Sequence, residues 1–259
     1  MWHEEVWCGH GGGATVFASR PKMATAKALM INAAAKYNWL AGGANANLTR
    51  EKQGWGLPDL RRLYDDRGRT FIVDESVAVA PFQTVTYLIG VEPGAPDLRV
   101  TMVFTDKAGD PALTTARKND LSLKVTSPGG TVYWGNNGLN VGNVSTAGGV
   151  ANRLDTVENV FLTAPAAGTW TVEVRGDEIV EDSRPETPGL NADFALVVAG
   201  GHPAGCIADF DGDGFITGDD FTLFVIAFEA GDCTADIDHD GFVTGDDFGA
   251  FVLAFETIC

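Results

Sequence analysis

Ala208–Cys233 reads ADFDGDGFITGDDFTLFVIAFEAGDC, and Ala235–Cys259 reads ADIDHDGFVTGDDFGAFVLAFETIC. These are two copies of one unit, offset by 27 positions, with Asp209 mapping onto Asp236. Each copy opens with D-x-D-x-D-G. Alternate carboxylates in such a run converge on one cation, and the glycine permits the sharp turn between them. In the first copy Asp209, Asp211 and Asp213 take loop positions one, three and five. Gly214 is position six, Phe215 offers a carbonyl at seven, and Asp220 stands at twelve. The second copy repeats this with Asp236, Asp238, Asp240, Gly241, Phe242 and Asp247. A hard dication takes six or more oxygens, and this spacing supplies them, so the expectation is two Ca2+ ions. Each loop runs into a segment with Phe, Val and Ile at helical spacing, which a solvated acidic tail does not show.

Working outward, the charge follows the loops. The 259-residue chain carries a net charge of -17. From Cys206 onward there are thirteen acidic residues and no Lys or Arg, so the preceding residues are nearly balanced. The acidity therefore reads as metal-ligand chemistry, and it excludes a nucleic-acid partner, which needs a basic surface. No C-x-x-C pair exists among the four cysteines, which argues against zinc and redox sites. No run of eighteen apolar residues predicts a membrane span. Calcium loops and cysteines at the repeat ends fit an oxidising exterior, extracellular or at the cell surface. Met1–Trp7 lacks the basic and apolar regions of a signal peptide, so the expectation is that the true beginning lies upstream.

Two features separate the repeats from a standard EF-hand: Asp at position twelve, and no helix-like stretch before the first loop. Both resemble the dockerin family, whose duplicated loop-helix repeats bind calcium, and the resemblance covers residues 206–259. Cellulosomal dockerins carry small hydroxyl or polar residues at positions ten and eleven for cohesin contact. Here those positions are Gly218-Asp219 and Gly245-Asp246, so calcium binding carries over well and a cohesin partner poorly. Chain ends lie close together in dockerins, which makes Cys206 and Cys259 the pair that the resemblance implies.

Residues 19–37 read as a helix, with Ser19 as N-cap and Pro21 in the first turn. A glycine-rich loop follows, then Gln53-Gly-Trp-Gly, a compact turn around an aromatic anchor. The helix motif with Lys27-Ala-Leu and Ile31-Asn-Ala-Ala, followed by Gln-Gly-Trp-Gly, resembles the end of the catalytic domain in subtilisin-like serine proteases, of the large oxidatively stable type. In that family the Asp, His and Ser of the triad lie upstream of this point, and none is present here. Lys22-Met-Ala-Thr-Ala imitates the nucleophile motif with Lys in place of Ser, which reads as coincidence, since too little chain follows for both family helices. His3 and His10 lack the family's His-Gly-Thr context, and His10-Gly-Gly-Gly is a glycine loop without the strand and lysine of a phosphate site. Catalytic residues are therefore expected to be none.

Between Thr70 and Ala199 the pattern is β. Strand-like runs fall at residues 71–74, 84–89, 98–104, 121–126, 131–134, 157–162, 170–174 and 194–198, many alternating apolar and polar. Pro93-Gly94, Pro128-Gly129-Gly130, Gly148-Gly149 and Ala167-Gly168 mark turns between them. Eight short strands with such turns predict a sandwich or jelly roll. The runs from Leu98, Asn119 and Val157 also resemble the C-terminal β-barrel of the same proteases, a domain that can hold calcium. On that resemblance Asp106, Asp120 and Glu158 are candidate oxygen ligands. The plainer reading makes Asn119-Asp120 a strand-entry turn and Glu158 a surface charge. His202 reads as solvated, and His239, at loop position four, points away from the ion.

The expected organisation is multidomain. Residues 1–69 form a short helical remnant of an α/β subtilisin-like domain, residues 70–199 a mainly β jelly-roll or sandwich, 200–205 a linker, and 206–259 a small all-α dockerin-like domain. Three functions compete. The first is the C-terminal region of a secreted, calcium-dependent subtilisin-like endopeptidase, catalytically incompetent as it stands, whose parent acts on a polypeptide substrate. The second is a non-catalytic calcium-binding module attaching to a cell-surface or scaffold partner. The third is a different enzyme within the barrel, for which no Ser/His/Asp or paired-carboxylate constellation is evident.

Overall fold

The structure is a computed structural model that describes residues 1–4, 6–7, 10–36, 50–109, 117–211, 216–238 and 240–257. The chain forms two compact units. One comprises Pro21–Asp66 and Thr70–Pro203; the other comprises Met1–Arg20, Arg67–Arg69 and Ala204–Cys259.

The larger unit opens with helices α1 (Met23–Asn32), α2 (Arg50–Gln53) and α3 (Leu60–Asp65). Nine strands follow among the described residues: β1 (Thr70–Val79), β2 (Thr84–Val91), β3 (Asp97–Val103), β4 (Asp120–Thr126), β5 (Val132–Trp134), β6 (Val157–Thr163), β7 (Gly168–Glu178), β8 (Ala192–Ala199) and β9 (His202–Pro203). The eight runs read from the sequence fall on β1 to β8. They build two antiparallel sheets, ordered β1-β8-β3-β6 and β5-β4-β7-β2-β9. The core is the space between them. Val100, Met102, Phe194, Leu196 and Val198 of one sheet meet Leu121, Leu123, Val172, Val174 and Trp170 of the other. Burying so much branched and aromatic surface is the main stabilising contribution of this unit.

Strand β3 is buried on both faces, which half-buried alternation does not produce. The cause is α1, which packs across β1, β3 and β8. Its buried residues Ala24, Thr25, Ala28, Leu29 and Asn32 form the contacting stripe. The Asn32 amide donates to Arg99 O at 2.9 Å, to Thr101 Oγ1 at 3.1 Å and to Val197 O at 3.1 Å, and Arg99 Nε returns a bond to Asn32 O.

The helix starts at Met23, not at Ser19 as the sequence suggests, and its N-cap, Lys22, makes no side-chain cap bond. Glu75 supplies the cap from β1. At a bulge between Asp74 and Ala78 it takes a positive φ of 62°, and its carboxylate accepts from Thr25 N and Thr25 Oγ1. A long-range carboxylate thus satisfies an orphan N–H group that a local Ser would ordinarily bond.

The Gln53-Gly-Trp-Gly turn is docked on β6. Trp55 lies edge-on to Phe161, with Arg50 over its ring at 4.5 Å and paired to Asp155. Gly56 has φ +107°, and a methyl group there would lie 2.4 Å from Ala35 O, so only glycine fits. His202, expected to be solvated, is one-third exposed; it lies in β9, paired with Gly90, with its Nε2 3.1 Å from Glu92 Oε1.

The smaller unit contains α4 (Gly218–Ala230) and α5 (Gly245–Thr257), each following one acidic loop. Its core is phenylalanine. Phe224, Phe251 and Ala235 are fully enclosed, and Phe210 stands edge-on to both Phe224 and Phe251. Cys206 and Cys233 are both disulfide-bonded, and no described cysteine is free. Cys8 and Cys259, and with Cys259 the pairing that the dockerin resemblance implies, lie outside the described residues.

Candidate metal centre

Each acidic loop hangs from one carboxylate at position twelve. Asp220 Oδ1 accepts from Phe210 N at 2.8 Å and Asp211 N at 3.2 Å, while Oδ2 accepts from Thr217 N at 2.7 Å and Thr217 Oγ1 at 3.2 Å. Asp247 repeats the arrangement with Ile237 N, Asp238 N, Thr244 N and Thr244 Oγ1. Both residues are fully enclosed. The Thr217 amide, with those of Asp211 and Phe210, holds the Asp220 carboxyl below the usual carboxylate range, against desolvation. For Asp247 burial pushes the pKa up, but the amides of Thr244, Asp238 and Ile237 outweigh it and the net direction is down. Position twelve is therefore an ionised hub that folds the loop back onto its helix. The same residue closes the helix N-terminus: Thr217 and Asp220 form a reciprocal capping box at α4. The T-G-D-D of each repeat carries that signal in sequence, and the ligand-spacing argument overlooked it.

Carboxylates of each loop also lie close together among the described residues. Asp209, Asp211 and Asp220 bring oxygens within 4.8 Å of one another in the first loop, and Asp236, Asp238 and Asp240 do so in the second. Oxygens sharing a calcium ion at 2.3–2.6 Å lie no more than about 5 Å apart, so both groups fit one hard cation. The two loops differ in that Asp220 joins the first group while Asp247 is absent from the second. Asp213 and Phe215 lie outside the described residues, as does His239. In the second loop the backbone is already turned inward: Asp236 accepts from Asp240 N and Gly241 N, Asp238 from Asp240 N, and Asp240 from Phe242 N. Amide dipoles offset part of the repulsion among the three charges.

In the sandwich, Asp106, Asp120 and Glu158 are not among the converging acidic groups of the described residues. Asp106 is spent on the amides of Lys107, Lys118 and Asn119. Asp120 is buried opposite Arg117, 3.3 Å away, and burial raises its pKa. Glu158 is not a surface charge. It is fully enclosed on β6, its Oε2 accepts from Leu123 N at 2.9 Å, and its Oε1 has no hydrogen-bond partner. Burial pushes its carboxyl well above the ordinary glutamate value. A methyl group on Gly135 would lie 2.0 Å from Glu158 Oε2, so glycine there makes room for the acid. Asn119 ties the entry of β4 to the exit of β7 through Val180 N, Glu181 N and Glu181 O, as a strand-entry turn does.

A serine–histidine contact escaped the sequence reading: His3 Nδ1 lies 2.8 Å from Ser19 Oγ. No carboxylate orients the ring among the described residues, so it lacks the third member that makes such a pair a nucleophile.

No family model matches the sequence, and no curated protein matches it. Among solved structures, a lipase of Bacillus licheniformis in its propeptide form is similar at 15% identity and a TM-score of 0.29 over 52% of this chain. The CspB protease of Clostridium perfringens is similar at 12% identity and 0.26 over 52%, and a mitogen from Yersinia pseudotuberculosis at 9% and 0.27 over 50%. The chain spans 22% of the lipase, 26% of the protease and 82% of the mitogen. At these scores the likenesses carry no argument about activity. No helix among the described residues is long and apolar enough to cross a membrane.

Proposed function

We propose that this chain is a non-catalytic, calcium-binding C-terminal region of a secreted subtilisin-like serine endopeptidase, with the sandwich as its β-barrel and the repeats as a dockerin-like tail holding two Ca2+ ions. The observation that carries the calcium reading is the convergence of three carboxylates in each of two loops organised by equivalent hubs, Asp220 and Asp247. Hard oxygen donors in loops of this size suit calcium over magnesium or a transition metal. The protease assignment rests on the sequence resemblance of α1, the Gln-Gly-Trp-Gly turn and the strands. The parent would act on polypeptides by serine acyl transfer, with this region supporting it. Calorimetric titration of the intact chain tests the metal: two calcium ions per chain are expected, and none would overturn the reading. The source DNA upstream of Met1 tests the parentage. An open frame carrying Gly-Thr-Ser-Met-Ala supports it, and a stop codon above a ribosome-binding site removes it.

A second reading, an attachment module for a cell-surface or scaffold partner, has one observation in its favour. Ile226 and Leu253, at equivalent positions of α4 and α5, are about 60% exposed. Binding to isolated cell walls with and without calcium separates it from the first.

A further inference from the structure

The second loop has a cation of its own. From Cys206 to the end of the chain there is no Lys or Arg. The compact unit that contains the repeats nevertheless includes Arg67–Arg69, a single 3-10 turn of sequence Arg-Gly-Arg. Gly241, at position six of the second loop, has φ +94°, and a methyl group built there would lie 3.1 Å from Arg67 Nη2 and 3.9 Å from Arg67 Cζ and Nε. The guanidinium therefore rests against the turn glycine itself. The Gly241 amide donates to Asp236 at 2.9 Å, and Asp238 and Asp240 complete the acidic trio. A positive charge thus stands against the glycine whose amide bonds one member of the acidic trio.

Resting on the calcium reading above, we infer that Arg67 is a built-in countercation of the second loop and sets its calcium affinity. In the closed loop the guanidinium offsets part of the repulsion among Asp236, Asp238 and Asp240 before an ion enters. When a dication enters, Arg67 faces a like charge across the turn, and that repulsion weakens binding. It makes the second loop a lower-affinity sensor than its ligand set alone dictates, and salt should blunt the difference.

The experiment uses the full chain with the first loop silenced by Asp209→Ala and Asp211→Ala, so that calorimetry reads the second loop alone. In this background Arg67→Gln should raise calcium affinity about three- to tenfold, and Arg67→Lys should leave it near the starting value. The gain should shrink at high salt. Arg67→Met serves as a second neutral variant, and either one that keeps the helical circular dichroism of its parent reads the effect. Unchanged or weakened affinity in a folded neutral variant overturns the role of Arg67 and leaves the calcium reading standing. Absence of any calcium binding in the intact wild-type chain removes both.

Discussion

Phe224 and Phe251 stack face to face, their ring centroids 3.9 Å apart and their planes 6° from parallel. They are the same residue of the two repeats, 27 positions apart, so the tail's core is closed by each copy supplying its equivalent ring. Phe224→Ala should remove the stack and the edge contact of Phe210 with Phe224 at once. Large-to-small changes at enclosed phenylalanines cost about 3–5 kcal/mol. A unit this small has little more than that in reserve. The expected outcome is loss of α4 and α5, seen as reduced helical circular dichroism even in saturating calcium. Retention of full ellipticity would show that the stack is dispensable.

How much of this was legible beforehand varies by element for physical reasons. The strands were readable because period-2 alternation and Gly/Pro turns are local signals. The second covered face of β3 was not, because α1, the element that covers it, comes from far along the chain. The same holds for the cap of α1. Sequence proximity favoured Ser19, whereas Glu75, fifty positions from Thr25, does the bonding. The ligand spacing located both acidic loops but gave Asp220 and Asp247 only a ligand's role. Their four accepted hydrogen bonds make them hubs, which appears only once the loop is closed. Glu158 was misjudged because a lone charge in an alternating strand reads as outward-facing, and nothing local reveals that Gly135 leaves space for it.

Glu75 should prove necessary to α1. Replacing it with Ala strips the acceptor from Thr25 N and Thr25 Oγ1 and places a Cβ-bearing residue without compensation at φ 62°. Loss of an N-terminal cap costs about 1–2 kcal/mol. Urea unfolding of the chain, followed by tryptophan fluorescence, should show the midpoint of the sandwich transition falling with an unchanged slope. Glu75→Gly, which relieves the backbone strain but still lacks the carboxylate, should recover only part of the loss.

Glu158 makes sandwich stability depend on pH. Its folded-state pKa is raised above the unfolded value, chiefly by burial. Between those two values the folded state holds a proton that the unfolded state has released. Stability therefore declines as pH rises from about 4.3 through the raised value and stays lower above it. Each unit of elevation corresponds to about 1.4 kcal/mol. Glu158→Gln keeps an acceptor for Leu123 N and cannot ionise, so in chelator it should stabilise the sandwich at pH 7 and flatten the profile. Destabilisation by this substitution at pH 7 in chelator would contradict the buried-charge account.

The polypeptide should hydrolyse no peptide or protein substrate. The only serine–histidine contact among the described residues, Ser19 with His3, is not oriented by a carboxylate. A fluorophosphonate probe should therefore label no serine, and specific labelling of Ser19 would refute this.

The metal should decide whether the tail folds at all. Each loop holds four aspartates at its ligand positions, and each close pair costs on the order of 1 kcal/mol even in water. The apolar core that must offset this is little more than Phe224, Phe251, Ala235 and the partly buried rings around them. With a chelator, α4 and α5 should melt while the two sheets persist, so helical ellipticity falls and the buried environment of Trp170 is unchanged. Calcium should restore the helices at two ions per chain. Magnesium should do so poorly, because it demands a tighter octahedral shell and keeps its waters. Asp211→Ala removes one member of the first group and should lower the stoichiometry to one, leaving the second loop competent. Asp247→Ala should do more damage than its ligand role predicts, since it frees the amides of Ile237, Asp238 and Thr244 together. Each unsatisfied buried group costs about 1–3 kcal/mol. Circular dichroism under calcium titration orders the variants: Asp211→Ala should refold nearly fully, and Asp247→Ala should stay largely unfolded at any calcium concentration. The reverse order would show that position twelve is a simple ligand and not the hub of its loop.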